Sequence, residues 1–229
     1  MTSTDKVLLA GASGNTGQEV LKILRSTELT VRALTSSPEK VDQLEQRGAD
    51  EVVVCDLMNR EDVASAVDGI DIVYTAVGSQ PSEILFASEF VDGQGNINLV
   101  EAAADADVDA FVMESALGVD GDRASLMARM TAILIRPIND AKTRAERAIR
   151  GSDLRYTILR PGILTSGTAT TDVQVAPAKT GLWGTVSRED MARLMVRAPF
   201  TSATANETLE VVRNPLVRRR SLDIDWQLP

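Results

Sequence analysis

The chain has 229 residues, 44% of them hydrophobic, enough to bury one substantial core, and no Pro/Gly/Ser tract, charge block or fixed-period repeat divides it. A formal charge of −9 with only 3% aromatic residues argues against nucleic-acid binding, which calls for a basic face and rings for base stacking. The single cysteine, Cys55, excludes an intrachain disulfide and a cysteine-based zinc site, and the absence of histidine removes the usual proton carrier near pH 7.

The opening MTSTDKVLLAGASG has no basic stretch ahead of a long apolar one, and no later run reaches the roughly 18 apolar residues of a spanning helix. The expectation is a soluble cytoplasmic protein with no membrane partner. VLLAG (7–11) reads as a strand, and NTGQEVLKILR after it sets Val20, Leu21, Ile23 and Leu24 at helical spacing. A strand is expected over 29–35, a helix over 38–48 with Pro38 at its start and Gly48 at its stop, and a strand over 50–57. A helix at 60–68, a strand at 71–78, a long helix at 88–106 and a strand at 109–115 continue the alternation. A helix from about Asp140 to Arg150 leads to a sixth strand, 155–162. SREDMARLMVRAP (187–199) reads as a helix capped by Ser187 with Asp190 three residues on, and 207–213 as a late strand. Near-continuous apolar strands separated by helices predict an α/β, doubly wound parallel sheet in a single domain, 1–229.

Ligands in such sheets bind outside the carboxyl ends of the strands. The first such end carries GASGNTG, residues 11–17: Gly11, Gly14 and Gly17 follow a strand and open a helix, where glycine permits a tight turn and close approach of a pyrophosphate to the helix N-terminus. Ser13, Asn15 and Thr16 complete that loop. The second strand ends in Thr35, Ser36 and Ser37, with Lys40 one turn further on and no carboxylate, which favours NADP over NAD and leaves NAD open. A turn and helix cap is the alternative role for Ser36 and Ser37, and Arg32 is as compatible with a place outside the site.

GASGNTG, TVRALTSSPEKV, VVVCDL, YTAVG, FVMESALGV, AKTRAERAI, YTILRPG and VSREDMA, in this order, resemble the atypical short-chain dehydrogenase/reductases, specifically the NmrA-like NAD(P)-binding group. The resemblance implies a Rossmann-like fold. It places Asp56 and Leu57 beside the adenine and lines the cleft with Ala76, Val77 and Gly78; Asp56 as a cap for the next helix is the alternative. Pro161, Gly162 and Ile163, which end the sixth apolar run, join the cofactor-binding set. Ser115 matches the superfamily's catalytic serine and Lys142 its lysine, both also counted as cofactor contacts. The tyrosine expected four residues before the lysine is replaced by Ile138. Tyr74 and Tyr156 lie inside strands, where packing is the expected role, and Cys55 in VVVCD reads as core.

Without that tyrosine, carbonyl reduction lacks its proton donor, whereas hydride transfer to a quinone or flavin asks mainly for positioned rings. The expectation is therefore an NADP(H)-dependent oxidoreductase acting on a quinone, flavin or similar small acceptor. The alternatives are a cofactor sensor with a protein partner and no turnover, or an NAD(P)-dependent isomerase or epimerase. A substrate-side region is expected from 116–137 and 163–185, with Met127 and Met130 open to either pocket lining or packing. Lys142 is expected to donate to the nicotinamide-side ribose, against the alternative of a solvated lysine among Arg144, Arg147 and Arg150. The triplet Arg218 to Arg220 reads as a solvated segment or an anion site, and a monomer and a homodimer are both left open.

Overall fold

The computed structural model describes residues 5–78, 91–119, 136–170 and 172–229. Ten strands are placed among them: β1 (Lys6–Ala10), β2 (Thr30–Thr35), β3 (Glu51–Val54), β4 (Ile72–Thr75), β5 (Ala110–Glu114), β6 (Tyr156–Pro161), β7 (Ile163–Thr165), β8 (Gln174–Pro177), β9 (Thr185–Ser187) and β10 (Glu207–Val212). The helices are α1 (Asn15–Leu24), α2 (Val41–Gln46), α3 (Arg60–Val67), α4 (Asn96–Asp105), α5 (Arg136–Gly151) and α6 (Arg188–Arg197). Eight strands form one sheet in the order β3-β2-β1-β4-β5-β6-β10-β8, with β8 alone antiparallel to its neighbour. Order reverses between β1 and β4, which opens the crevice where α/β sheets take their ligands.

Alternation along the strands decides which layer each residue enters. Val7, Leu9, Tyr74, Ala110 and Val112 pack on α1 and α6 through Val20, Leu21, Leu24, Met191 and Met195. Leu8, Ala10, Val73, Phe111 and Met113 pack on the other face against α3, α4 and α5, through Val63, Leu99, Val100, Ala145 and Ile149. Both faces are covered, so the strands read as unbroken apolar runs.

The structure corrects the sequence reading at several elements. Residues 38–48 are a short 3-10 turn (Pro38–Lys40) followed by the six residues of α2. The helix expected over 88–106 is described as one wide turn, Val91–Gly95, leading into α4; 88–90, like 120–135 with Met127 and Met130, lie outside the described residues. The stretch 163–185, given no strand by the sequence reading, contributes β7 and β8, while β7 pairs with β9 in a second, two-stranded sheet. Ser187 caps α6 as expected, its hydroxyl accepting from the Asp190 amide. Arg218 to Arg220 are exposed, in keeping with a solvated segment; Arg218 pairs with Asp172 and Arg220 donates to the Gly181 carbonyl.

Candidate dinucleotide site

The loop Gly11–Gly14 closes between β1 and α1 because glycine occupies its tight places. Gly11 has φ +79°, and a Cβ there would lie 2.7 Å from the Ala76 carbonyl oxygen, so the loop rests directly on the end of β4. At Gly17 a Cβ would stand 2.1 Å from the Gly11 oxygen, which admits no side chain. Helix α1 begins at Gly14, an exposed N-cap that has no side chain to satisfy the first-turn N–H groups. Those donors and the helix dipole are what a bound diphosphate uses. Ser13 is half-buried, and its carbonyl accepts from the Gln18 amide at 2.9 Å; Asn15 is exposed at the rim and Thr16 is buried beneath it.

At the end of β2, the Thr35 hydroxyl is buried and accepts from the Ser37 amide at 3.1 Å. It therefore shapes the turn, while exposed Ser36 and half-buried Lys40 stand at the sheet edge. Arg32 is outside the site: its guanidinium pairs with Glu51 and donates to the Ala66 and Asp68 carbonyls. Asp56 does not cap α3. Its carboxylate accepts from the Met58 amide, while Asn59 is the cap, accepting from Glu61. Leu57 and Val77 are buried, Ala76 is half-buried, and Gly78 is exposed at the end of the β4 run. Cys55 is buried, and desolvation pushes its thiol up to about 11.

Ser115 and Lys142 are both drawn inward. The Ser115 hydroxyl donates to the Glu146 carboxylate at 2.6 Å, and the Lys142 ammonium lies 2.7 Å from the carboxylate of Asp92, itself fully buried. Asp92 is 3.8 Å from where a Cβ on Gly78 would be, which sets the pair at the mouth of the β4 cleft. Lys142 is thus not a solvated lysine of a basic helix face. Glu146 also receives Arg160, through Nε at 2.9 Å and Nη2 at 2.5 Å, and Arg150 at 2.5 Å. Tyr74 is fully buried with its hydroxyl on the Val196 carbonyl, and burial raises its pKa, so it is packing. Tyr156 packs against the α5-side core.

Beyond β6, Pro161 is buried, Gly162 donates to the Val211 carbonyl, and Ile163 donates to that of Gly184, leaving its side chain exposed. A Cβ on Gly162 would fall 2.3 Å from the Gly184 oxygen, so glycine here brings β7 to β9. Sequence reasoning missed Asp92, Glu114, Glu146 and Arg160. An arginine inside the apolar run YTILRPG and a glutamate one turn beyond Lys142 were the available signals for the last two.

A family model described as NAD(P)H-binding matches residues 11–201. The chain belongs to this NAD(P)H-binding family. An uncharacterised chloroplastic protein of Arabidopsis thaliana is 30% identical over 95% of this chain and 80% of its own length. A Bacillus subtilis protein named as an uncharacterised sugar epimerase, YhfK, is 31% identical over 90% of this chain and 93% of its own. The fold is shared with a short-chain dehydrogenase/reductase of Veillonella parvula solved in complex with NADP, at TM-score 0.73 and 17% identity, covering 97% of this chain and all of that one. The family assignment and the cradle agree: this is a Rossmann-like domain that binds NAD(P)H. No helix among the described residues is long and apolar enough to cross a membrane.

Proposed function

We propose that this family member is an NADP(H)-dependent oxidoreductase that passes hydride to a quinone, flavin or similar planar acceptor. The observation that carries the reading is that Ser115 and Lys142 are each held by a buried carboxylate, Glu146 and Asp92, while Ile138, half-buried, stands in the tyrosine's place. Hydride is the chemistry a bound NADPH supplies. The chain's own groups do the rest. The first turn of α1 holds the diphosphate, Lys142, oriented by Asp92, donates to ribose hydroxyls, and Ser36 with Lys40 favours a 2′-phosphate over a bare 2′-hydroxyl. An acceptor whose reduced form is delocalised takes its protons from water, so no tyrosine is needed.

Steady NADPH oxidation against a panel of quinones and flavins tests the proposal, with turnover expected and NADPH preferred to NADH. Tight binding with no turnover for any acceptor would overturn it in favour of a cofactor sensor. That second reading also draws on Ser115, whose hydroxyl proton is already committed to Glu146. The epimerase named for the B. subtilis relative is the third outcome, distinguished by reaction without net NADPH consumption.

A further inference from the structure

The last residue of β5 carries a carboxyl group that neither the phosphate cradle nor the Ser115 and Lys142 pairings use. Glu114 shares its parity with Ala110 and Val112, which face α1 and α6, whereas Ser115 turns to the α5 face and Glu146. Glu114 is buried, and its Oε1 accepts from the Thr16 hydroxyl at 3.2 Å. Thr16 is the second residue of α1, in the turn whose amides receive a diphosphate. One hydrogen bond therefore separates an acidic group from the place where the ligand's negative charges arrive.

We propose that Glu114 is a proton-bearing member of the dinucleotide site: its carboxyl takes up one proton from solvent as NADP(H) binds. The inference rests on dinucleotide binding alone and does not depend on turnover. Two phosphate charges near the α1 turn disfavour a carboxylate there, while the neutral acid keeps its place against Thr16. The poise of the free protein suits such a coupling. Burial raises the Glu114 pKa to about 7, against lowering by the Lys142 charge, the Thr16 hydrogen bond and Arg188. The other charged groups around it are engaged. Lys142 is balanced by Asp92, Arg160 by Glu146 on the opposite face, and Asp190 accepts from Ser187 and Thr170. Arg188 donates to Ser166, Glu19 pairs with Lys22, and β4 offers only Tyr74 and Thr75, whose hydroxyls donate to the Val196 carbonyl and to Asn96.

Calorimetric titration of the full chain with NADPH, in two buffers of different ionisation enthalpy, reads the protons taken up. About half a proton is expected at pH 7, rising toward one at pH 8, with affinity falling about fivefold between the two. In Glu114→Gln the extra uptake and the fall both vanish; any proton linkage of the 2′-phosphate is common to both proteins and cancels in the difference. Equal uptake in the two proteins, or proton release by the native one, would overturn the proposal. Should Glu114→Gln fail to fold, infrared difference spectra of the native protein at pH 8 decide: NADPH must raise a protonated-carboxyl band, and its absence refutes the assignment.

Discussion

Arg160 is 1% exposed and Glu146 fully buried, and the two share a bidentate contact across the α5 face of β6. Changing Arg160 to Met leaves the carboxylate buried with only the Ser115 hydroxyl and Arg150, whose side chain is 30% exposed and so keeps part of its charge in water. Breaking a buried pair by removing one partner costs about 3–5 kcal/mol, because the survivor is left uncompensated. Two charge-assisted hydrogen bonds at roughly 1.5–3 kcal/mol each sum to about 3–6 kcal/mol, which overlaps that range. The single variant should therefore lose about 3–5 kcal/mol in urea unfolding, seen as a lower midpoint at unchanged slope. Glu146→Leu combined with Arg160→Met removes both charges, and apolar replacement of a buried pair is often neutral or better. The double variant should accordingly be more stable than either single one, a coupling of at least about 2 kcal/mol of opposite sign. If the single losses stay below about 1 kcal/mol and simply add, the pair does not hold α5 to β6, and the account of why Ser115 points inward fails with it.

Gly14→Val should abolish NADPH binding in calorimetry while circular dichroism stays native, because Gly14 is exposed at φ −75° and a Cβ meets the Gly11 oxygen at 3.2 Å and the Ala76 oxygen at 3.9 Å. Gly17→Ala should fail to fold, since its Cβ would sit 2.1 Å from that same oxygen. Lys142→Met should weaken NADPH at least about tenfold, and should also lower the melting temperature because the buried Asp92 carboxylate loses the ammonium 2.7 Å away; adding Asp92→Asn should restore the melting temperature but not the affinity. Glu114 makes stability pH-dependent. Its folded pKa, about 7, lies above the ordinary value of 4.5, so its contribution is full below 4.5 and disappears as pH rises through 7. The loss approaches about 3 kcal/mol and should be absent from Glu114→Gln in unfolding measured from pH 4 to 9.

Strands β1, β4, β5 and β6 were legible because each is an apolar run covered on both faces, and GASGNTG was legible because glycine is required there by backbone approach alone. Strands β7 and β9 were not. Each is three residues long, and the ends of β7, Ile163 and Thr165, are exposed, so no apolar pattern marks it; the pairing depends on Gly162 meeting Gly184, a contact 22 positions apart in the chain. The charged network was hidden for a different reason. Glu114 follows AFVM as an acid at a strand end, a place where carboxylates are commonly solvated, and nothing local reports that Thr16, 98 residues away, covers it. Asp92 reads as an ordinary polar residue early in the helix expected over 88–106 until the fold sets it under Lys142.

Under the proposed function, Ser115 and Lys142 offer opposite halves of a hydrogen-bonding pair, and this bears on which acceptor the proposed reaction suits. Ser115 donates a hydrogen bond to Glu146 at 2.6 Å, a length typical of a hydroxyl on a carboxylate, so its remaining capacity is to accept. An ammonium has three donors, and Lys142 directs one to Asp92, leaving two for ribose hydroxyls or an acceptor oxygen. In a site with a tyrosine, the phenol hands over a proton at the developing alkoxide. Here Lys142 can stabilise negative charge by hydrogen bonding, and Ser115 can take a bond from an O–H or N–H as it forms on the reduced product. That division disfavours an isolated ketone, whose alkoxide needs an immediate acid. It suits a ring system that spreads the hydride's charge over several atoms before water protonates it.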